Sequence, residues 1–166
     1  MKIYLIRHSN AVDPGTPGYE DDSLRPLTEK GHDKMKTIAS ALKELDVQPD
    51  LIVSSPYIRA RQTAEILAKV LKYKQELVFS DTLVPMGNAD NIIGEINEKY
   101  SVDELVLVGH EPCFSTLIST LTVGNPELAI NIKNGGVCCL SSDDLHTERK
   151  AVLEWFLTPK ILTKLV

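Results

Sequence analysis

Two histidines follow two apolar runs of the sequence. Residues 3–6 (IYLI) lead directly into Arg7 and His8, and residues 105–108 (LVLV) end two positions before His110. Short, wholly apolar runs are typical of the buried strands of a parallel sheet. A single histidine at such a place is more often a structural residue bonded to a backbone carbonyl. Two of them at matching strand ends, with an arginine beside one, instead favour a functional site.

A further arginine lies in the segment SSPYIRARQTAE, residues 54–65. Ser55 and Pro56 are typical of the N-cap and first residue of a helix, so a helix is predicted to start there. The unpaired N–H groups and the dipole of a helix start attract anions. Arg59 lies about one turn into this helix on the side that packs inward, whereas we expect Arg61 to be a solvated cation. Arg59 and the helix start together predict an anion site.

Arg25 closes an acidic loop just before the first predicted helix. It either pairs with Glu20, Asp21 or Asp22, as surface arginines commonly do, or it joins the anion site. Both interpretations stay open.

The histidines and arginines suit a dianion whose charge is spread over several oxygens, namely a phosphoryl group. A neutral imidazole can attack phosphorus, and arginines can stabilise the charge on the equatorial oxygens during in-line transfer. No Gly-rich phosphate loop ending in Lys-Ser/Thr is present, which disfavours nucleoside triphosphate chemistry of that kind.

The sequence does not favour a metal site, which would need three or four convergent ligands. The other histidines, His32 and His146, lie in the first turn of a predicted helix and in an acidic, polar loop. His-x-x-x-His and Cys-x-x-Cys spacings are absent, and Cys138 and Cys139 are interpreted as buried strand residues. We therefore expect neither a metal nor another cofactor.

Strands and helices alternate along the chain around these residues. Apolar runs predict strands at 3–6, 51–53, 77–79, 105–108 and 151–157, and helices are predicted to begin at Thr28, Ser55, Asn88 and Pro112. A turn at residues 134–136 (NGG) is predicted to join strands at 128–132 and 137–140 in a hairpin.

This alternation predicts an α/β fold, a three-layer α/β/α sandwich with a mostly parallel central sheet. In such sheets ligands bind outside the carboxyl ends of the strands. His8, Ser55 and His110 all fall at those ends, so we expect their side chains to meet at one edge of the sheet.

Length and composition are ordinary for one globular domain, which we expect to span residues 1–166. The net charge of −5 offers no basic surface for nucleic acid. No apolar stretch is long enough to span a membrane, and no signal peptide is recognisable, because Lys2 is followed by only four apolar residues before Arg7. We expect a cytoplasmic protein.

Four blocks of the sequence resemble the histidine phosphatase superfamily, which has the phosphoglycerate mutase-like fold. They are RHS at 7–9, LTEKG at 27–31, SSPYIRARQTAE at 54–65 and VGHEP at 108–112. The short length, RPLTEKG at 25–31, LVPMGN at 83–88 and the ending EWFLTPKIL resemble the SixA-type phosphohistidine phosphatases within that superfamily.

The resemblance implies a role for each matching residue. His8 would be the nucleophile that is transiently phosphorylated, and Arg7, Arg59 and His110 would hold the phosphoryl oxygens, with Arg25 as a further contact. The substrate would be a phosphorylated histidine on a protein, such as a histidine phosphotransfer domain in a phosphorelay that transmits signals.

Two features depart from the family pattern. Ser9 stands at the third motif position, where the family usually has glycine. A serine would be strained there if its φ were positive. The stretch DTLVPMGNAD offers only Asp81 and Asp90 as an acid for the leaving group, and neither matches well. A missing acid disfavours alcohol leaving groups more than a phosphorylated imidazole.

Three functions are therefore compatible with the sequence. The leading one is a SixA-like phosphohistidine phosphatase. The second is a phosphomonoesterase for a small phosphorylated metabolite. The third is a catalytically silent module that binds phosphate or phosphohistidine.

Overall fold

The computed structural model describes residues 1–143, 145 and 151–166, and its described strands form one six-stranded sheet. The strands are β1 (Lys2–Arg7), β2 (Leu51–Ser54), β3 (Val78–Phe79), β4 (Glu104–Gly109), β5 (Val137–Ser141) and β6 (Val152–Leu157). Their order is β3-β2-β4-β1-β5-β6. The first four pair in parallel, and β5 and β6 join the β1 edge in antiparallel pairing. The predicted α/β fold with a mostly parallel sheet is confirmed.

Helices cover both faces of the sheet. They are α1 (Glu29–Glu44), α2 (Ile58–Val70), α3 (Ala89–Lys99), α4 (Cys113–Val123) and the short α5 (Pro159–Leu162). Successive side chains of a strand point to opposite faces, so Ile3 and Leu5 of β1 pack with α3 and α4. Tyr4 and Ile6 pack with α1 and α2 on the other face. Burial on both sides explains why this strand is apolar at every position.

The register of the central strands brings the two histidines together. Arg7 at the end of β1 pairs with Gly109 at the end of β4. The N–H of His8 donates to the Gly109 carbonyl oxygen over 2.9 Å, and the N–H of Ser55 donates to the Val108 carbonyl oxygen over 2.9 Å. Three chain segments therefore leave the sheet side by side at its carboxyl edge, as predicted.

Two local predictions are wrong. The helix expected to begin at Ser55 begins instead at Ile58, with Tyr57 in the N-cap position. Residues 128–132 form no strand, so the predicted hairpin is absent, and β5 pairs with β1 and β6. The residues before β5 instead contact the end of β1, where the N–H of Gly135 lies 3.0 Å from the Arg7 carbonyl oxygen and 3.1 Å from that of His8.

No helix in the described part of the chain is long and apolar enough to cross a membrane.

Candidate active site

His8 is buried just after β1, and its two ring nitrogens have different partners. Nδ1 lies 2.7 Å from the Ser9 carbonyl oxygen. A carbonyl can only accept a hydrogen bond, so Nδ1 carries the ring proton. The Nε–H of Arg59 donates to His8 Nε2 over 3.3 Å, which requires a lone pair on Nε2. Both contacts select the same neutral tautomer, in which Nε2 carries the lone pair.

Both strand-end histidines are held uncharged, and their ring centroids are 5.0 Å apart. Burial is the main cause that lowers the pKa of His8 to about 3, and the nearby arginines add to it against the opposing hydrogen bond at Nδ1. Burial also lowers the pKa of His110 to about 2, with smaller contributions from His8 and the same arginines. The cationic groups near these rings are Arg59, Arg7 and Arg25.

Arg59 is fixed by Asp22 as well as by His8. Its side chain is only 3% exposed. Nη1 donates to the Asp22 carbonyl oxygen over 2.6 Å, and Nη2 donates to the Asp22 carboxylate over 2.8 Å. A planar guanidinium held at three points has one orientation. It has five N–H groups, so two remain for the oxygens of a ligand.

Arg25 is linked to the site through the same carboxylate. Its Nε and Nη2 lie 2.8 Å and 2.7 Å from Asp22 Oδ1, and its Nη1 donates to the Val12 carbonyl oxygen. Burial opposes ionisation of Asp22, but hydrogen bonds from Arg59 and Arg25 outweigh it and lower the pKa of this carboxyl group. Arg25 therefore pairs with an acid of its own loop, as one interpretation expected. The same acid also binds Arg59, so this ion pair lies next to the candidate anion site.

Arg7 is held by a short chain of contacts that begins at Glu111. One carboxylate oxygen of Glu111 accepts the N–H of Ile132 over 3.1 Å, and the other accepts the N–H and hydroxyl of Ser115. The Ile132 carbonyl oxygen then accepts Nη1 of Arg7 over 2.5 Å. Arg7 Nε is buried and has no hydrogen-bond partner in the described part of the chain. An unpaired buried donor is costly, so Arg7 Nε is a candidate donor to a ligand oxygen.

His110 has one paired and one unpaired ring nitrogen. Its Nε2 lies 2.9 Å from the Ser55 hydroxyl oxygen, which also accepts the Tyr57 N–H over 3.3 Å. The Ser55 hydroxyl can therefore donate to Nε2 in the tautomer that carries the ring proton on Nδ1. His110 Nδ1 is buried without a partner among the residues that the structure describes. It is therefore a second candidate donor to a ligand oxygen.

Ser9 fits its position without backbone strain. It is not among the residues with positive φ. Its hydroxyl donates to the Gly31 carbonyl oxygen over 2.8 Å, and its N–H donates to the Thr63 hydroxyl over 3.1 Å. The glycine that the local geometry requires is Gly31, where a Cβ would lie 2.0 Å from the Asn10 carbonyl oxygen. Ser9 thus ties the turn after His8 to α1 and α2.

The two acids that the sequence offers for a leaving group form no described hydrogen bond or ion pair with His8. Asp81 and Asp90 are exposed, at a 3-10 helix and in the first turn of α3. Asp22 does contact the arginines, but it is held as an anion. Both oxygens of Glu111 already accept hydrogen bonds. Asp81 and Asp90 are exposed, Asp22 is ion-paired, and Glu111 is engaged through both of its oxygens.

Sequence reasoning missed several residues that position the cluster. The spacing of three residues predicts Asp22 as a partner of Arg25, but no pattern in the sequence links it to Arg59. Tyr57 lies with its ring 5.2 Å from the His110 ring, and Arg59 stacks 5.1 Å over it. Nothing in the sequence distinguished this tyrosine from an ordinary residue of the helix start.

No group of three or more His, Cys, Asp or Glu side chains that could hold a metal occurs among the described residues. His146 lies outside the described residues, and His32 is half-buried near the start of α1. Cys138 and Cys139 are buried on β5, where burial raises the pKa of both thiols. These cysteines are core residues.

Comparison with known proteins agrees with the geometry. Residues 3–84 match the model of the histidine phosphatase superfamily, branch 1. An uncharacterized protein of Picosynechococcus is 33% identical over 98% of this chain and 99% of its own length. The phosphohistidine phosphatase SixA of Escherichia coli is 26% identical over 75% of this chain and 76% of its own.

Solved structures extend the likeness to nearly the whole chain. A structure of the protein histidine phosphatase SixA complexed with tungstate superposes with a TM-score of 0.83, at 23% identity, over 96% of this chain and 98% of that one. Phosphatases of small molecules share the same fold. The chain belongs to the histidine phosphatase superfamily, in which it resembles the SixA-type branch, and it is a phosphatase with a histidine nucleophile.

Proposed function

We propose that His8 is this nucleophile and that the protein removes phosphate from a phosphorylated histidine on another protein, as a SixA-like phosphohistidine phosphatase. One observation carries the proposal. His8 is neutral and held in the tautomer that leaves a lone pair on Nε2, beside the guanidinium of Arg59. We infer further that residues 1–166 work as one domain and that Arg7, Arg25, Arg59 and His110 hold the phosphoryl group.

The first step moves the phosphoryl group from the substrate to His8. Nε2 uses its lone pair to form a bond to phosphorus while the phosphorus–nitrogen bond of the substrate breaks. The departing imidazole keeps that electron pair. It leaves as a neutral ring because its second nitrogen has taken a proton from solvent. Phosphorylated His8 keeps its proton on Nδ1, where the Ser9 carbonyl oxygen stabilises the positive ring.

The second step releases phosphate. Water attacks phosphorus, the bond to Nε2 breaks, and His8 returns to its neutral tautomer while the water proton passes to phosphate or solvent. Arg7 Nε and His110 Nδ1 have no partner among the described residues. Arg7 Nε, and His110 Nδ1 when it carries the ring proton, are suited to the oxygens that gain charge in both steps. Arg59 contributes its two free N–H groups, and Arg25 contributes charge.

The arrangement of the acids supports phosphohistidine as the substrate. An alcohol departs poorly unless an acid protonates it. Asp22 is held as an anion, Asp81 and Asp90 are exposed, and Glu111 uses both of its oxygens to accept hydrogen bonds. An imidazole takes its proton from solvent and needs no such group. The SixA relatives support a protein partner, for which a histidine phosphotransfer domain is the natural type. Action in a phosphorelay would make the protein cytoplasmic and part of signal transduction.

The competing candidate is a phosphomonoesterase for a small metabolite, because solved phosphatases of small molecules share the fold. Side-by-side turnover of a histidine phosphotransfer domain phosphorylated on histidine and a panel of small phosphoesters separates the two. We expect much faster turnover of the phosphorylated domain. Faster turnover of any phosphoester would favour the competing candidate, and tight binding of vanadate without any turnover would indicate a silent binding module.

Substitution tests the nucleophile. We expect wild-type protein quenched in alkali during turnover to carry acid-labile phosphate on His8, and His8→Ala to lose this phosphate and nearly all activity. His32→Ala is the matched control, because it removes a histidine that lies outside the cluster. Full activity in His8→Ala would refute the role of His8.

A further inference from the structure

A groove rich in lysine lies beside the carboxyl edge of the sheet. Lys30, Lys34, Lys133 and Lys160 line it together with Thr158 and Pro159, and its volume is about 620 Å³. We call it the lysine groove. Three of its lysines are exposed and Lys34 is half-buried. Their aliphatic stems and Pro159 supply an apolar floor, and their ammonium groups supply positive charge around it.

The lysine groove shares a chain segment with the candidate active site. Lys34 Nζ donates to the Asn10 side-chain oxygen over 3.0 Å and to the Asn134 carbonyl oxygen over 2.6 Å. Asn10 is two residues after His8. Lys133 follows Ile132, whose carbonyl oxygen holds Arg7. A protein that offers a phosphorylated side chain to His8 would therefore rest part of its surface on this groove.

The lysine groove is positively charged, whereas the chain as a whole is negatively charged. The whole sequence has a net charge of −5, yet four lysines gather here. None of them forms an ion pair with a carboxylate of the described residues. Burial, with the neighbouring charges of Lys30 and Arg7, lowers the pKa of Lys34, so the cluster crowds like charges. Crowded like charges without counter-ions favour a negatively charged partner.

We propose that the lysine groove docks an acidic surface that surrounds the phosphohistidine of the protein substrate. This inference rests on the proposed function and adds how the substrate is chosen. A single phosphoryl group needs only the arginines and histidines, so a groove of this size beside them fits further surface of the same substrate. The proposed function supplies a protein as the substrate, and this favours a protein surface over a lipid surface as the occupant of the groove.

Charge reversal at exposed positions tests the docking surface. Lys133→Glu combined with Lys160→Glu reverses two groove charges without touching the site residues. Lys69→Glu combined with Lys74→Glu gives the same change in net charge on exposed lysines outside the groove. Two substrates are compared. One is a histidine phosphotransfer domain that has acidic residues around its phosphohistidine and is phosphorylated with phosphoramidate. The other is free phosphohistidine. Each enzyme is measured at low and at high salt.

For the phosphorylated domain we expect the groove variant to raise KM by about tenfold or more at low salt, with a smaller effect at high salt. The control variant should change KM by less than about threefold, and both variants should hydrolyse free phosphohistidine at the wild-type rate. Equal effects of the two variants, or an unchanged KM, would overturn the docking surface.

The outcomes also separate this inference from the proposed function. If the wild type hydrolyses the phosphorylated domain and the groove variant does so with the same KM, the proposed function stands and the docking role of the groove is refuted. Wild-type protein that hydrolyses small phosphoesters but not the phosphorylated domain refutes both. Loss of free phosphohistidine hydrolysis in the groove variant would show that the substitutions distort the site, and would also refute a role confined to docking.

Discussion

At the scale of single residues, the chemistry depends on which nitrogen of His8 carries its proton. The Ser9 carbonyl oxygen and the Arg59 Nε–H act on opposite sides of the ring and favour the same tautomer. Arg59 can do this only because its guanidinium has one orientation, and Asp22 fixes that orientation. Asp22 is therefore inferred to be a positioning residue, which acts on the substrate through the arginines.

Asp22→Asn tests this role. The amide keeps the shape of the side chain but removes the negative charge that Arg59 and Arg25 share. We expect kcat to fall by about tenfold because Arg59 loses its orientation. We also expect inorganic phosphate to inhibit more strongly, because the two arginines then keep their full charge for the ligand. Steady-state kinetics with phosphate as inhibitor measures both effects.

Asp21→Asn is the control for this prediction, because among the described residues the Asp21 side chain accepts hydrogen bonds from Ser23 and from neither arginine. It should leave kcat and phosphate inhibition near wild type. An Asp22→Asn enzyme with weaker phosphate inhibition and unchanged kcat would show that Asp22 has no positioning role.

The residues that bring charge and imidazole to the site were predictable, and those that orient them were not. His8 and His110 follow apolar runs whose ends must meet in a parallel sheet, so local pattern was enough to predict that they converge. Asp22 lies in a loop whose path depends on contacts with Arg59, which is thirty-seven residues away. No local pattern encodes such a contact. The strain considered for Ser9 is absent, since its backbone φ is not positive.

At the scale of elements, the segment before β5 takes the place of the predicted hairpin strand. The turn residues 134–136 predict a strand at 128–132, yet Leu128 is 43% exposed and only Ile132 in that range is fully buried. The place beside β1 belongs to β5. The segment instead connects Glu111, at the end of β4, with Arg7, at the end of β1. Its irregular path is what leaves a carbonyl oxygen free to hold Arg7.

Glu111→Gln tests this connection. An amide cannot accept hydrogen bonds from both Ile132 and Ser115 with the same geometry, so one of the two is weakened. We expect kcat/KM to fall by about tenfold because Arg7 loses its fixed position. We expect unfolding to need about 1–3 kcal/mol less, since a half-buried group is left poorly paired. Glu127→Gln, on an exposed residue of the same connecting region, should change neither quantity. Equal effects of the two substitutions would contradict the connection.

The helix start was also predicted only in part. Ser55 and Pro56 suggested a helix N-cap, but Ser55 uses its hydroxyl to accept the Tyr57 N–H and to contact His110. The helix then begins at Ile58. The role of the Ser55 hydroxyl cannot be predicted from local sequence, because one of its two partners, His110, follows a strand that is distant in the sequence.

At the scale of the whole molecule, the fold keeps two uncharged imidazoles beside three arginines at one edge of the sheet. Such an arrangement has a cost that depends on pH. The pKa of His8 lies near 3 and that of His110 near 2 in the folded state, because burial disfavours their charged forms. In the unfolded chain both histidines return to a pKa of about 6.5. Between about pH 6.5 and pH 3 the unfolded state therefore binds more protons than the folded state.

It follows that the free energy of unfolding falls as pH drops below about 6.5, by up to about 1.4 kcal/mol per pH unit for each of these histidines. His8→Ala removes one of the two contributions, so we expect its stability to fall less steeply with acid than that of the wild type. Urea unfolding between about pH 7 and pH 5, followed by the fluorescence of Trp155, gives the two slopes. Carboxyl groups such as Asp22 and Glu95, whose pKa values are lowered, affect both proteins and largely cancel in the difference. Met86→Ala, which removes an exposed side chain that does not titrate, serves as the control and should keep the wild-type slope. If His8→Ala and the wild type lose stability in parallel, His8 is not held uncharged, and the neutral nucleophile on which the proposed mechanism depends would have to be abandoned.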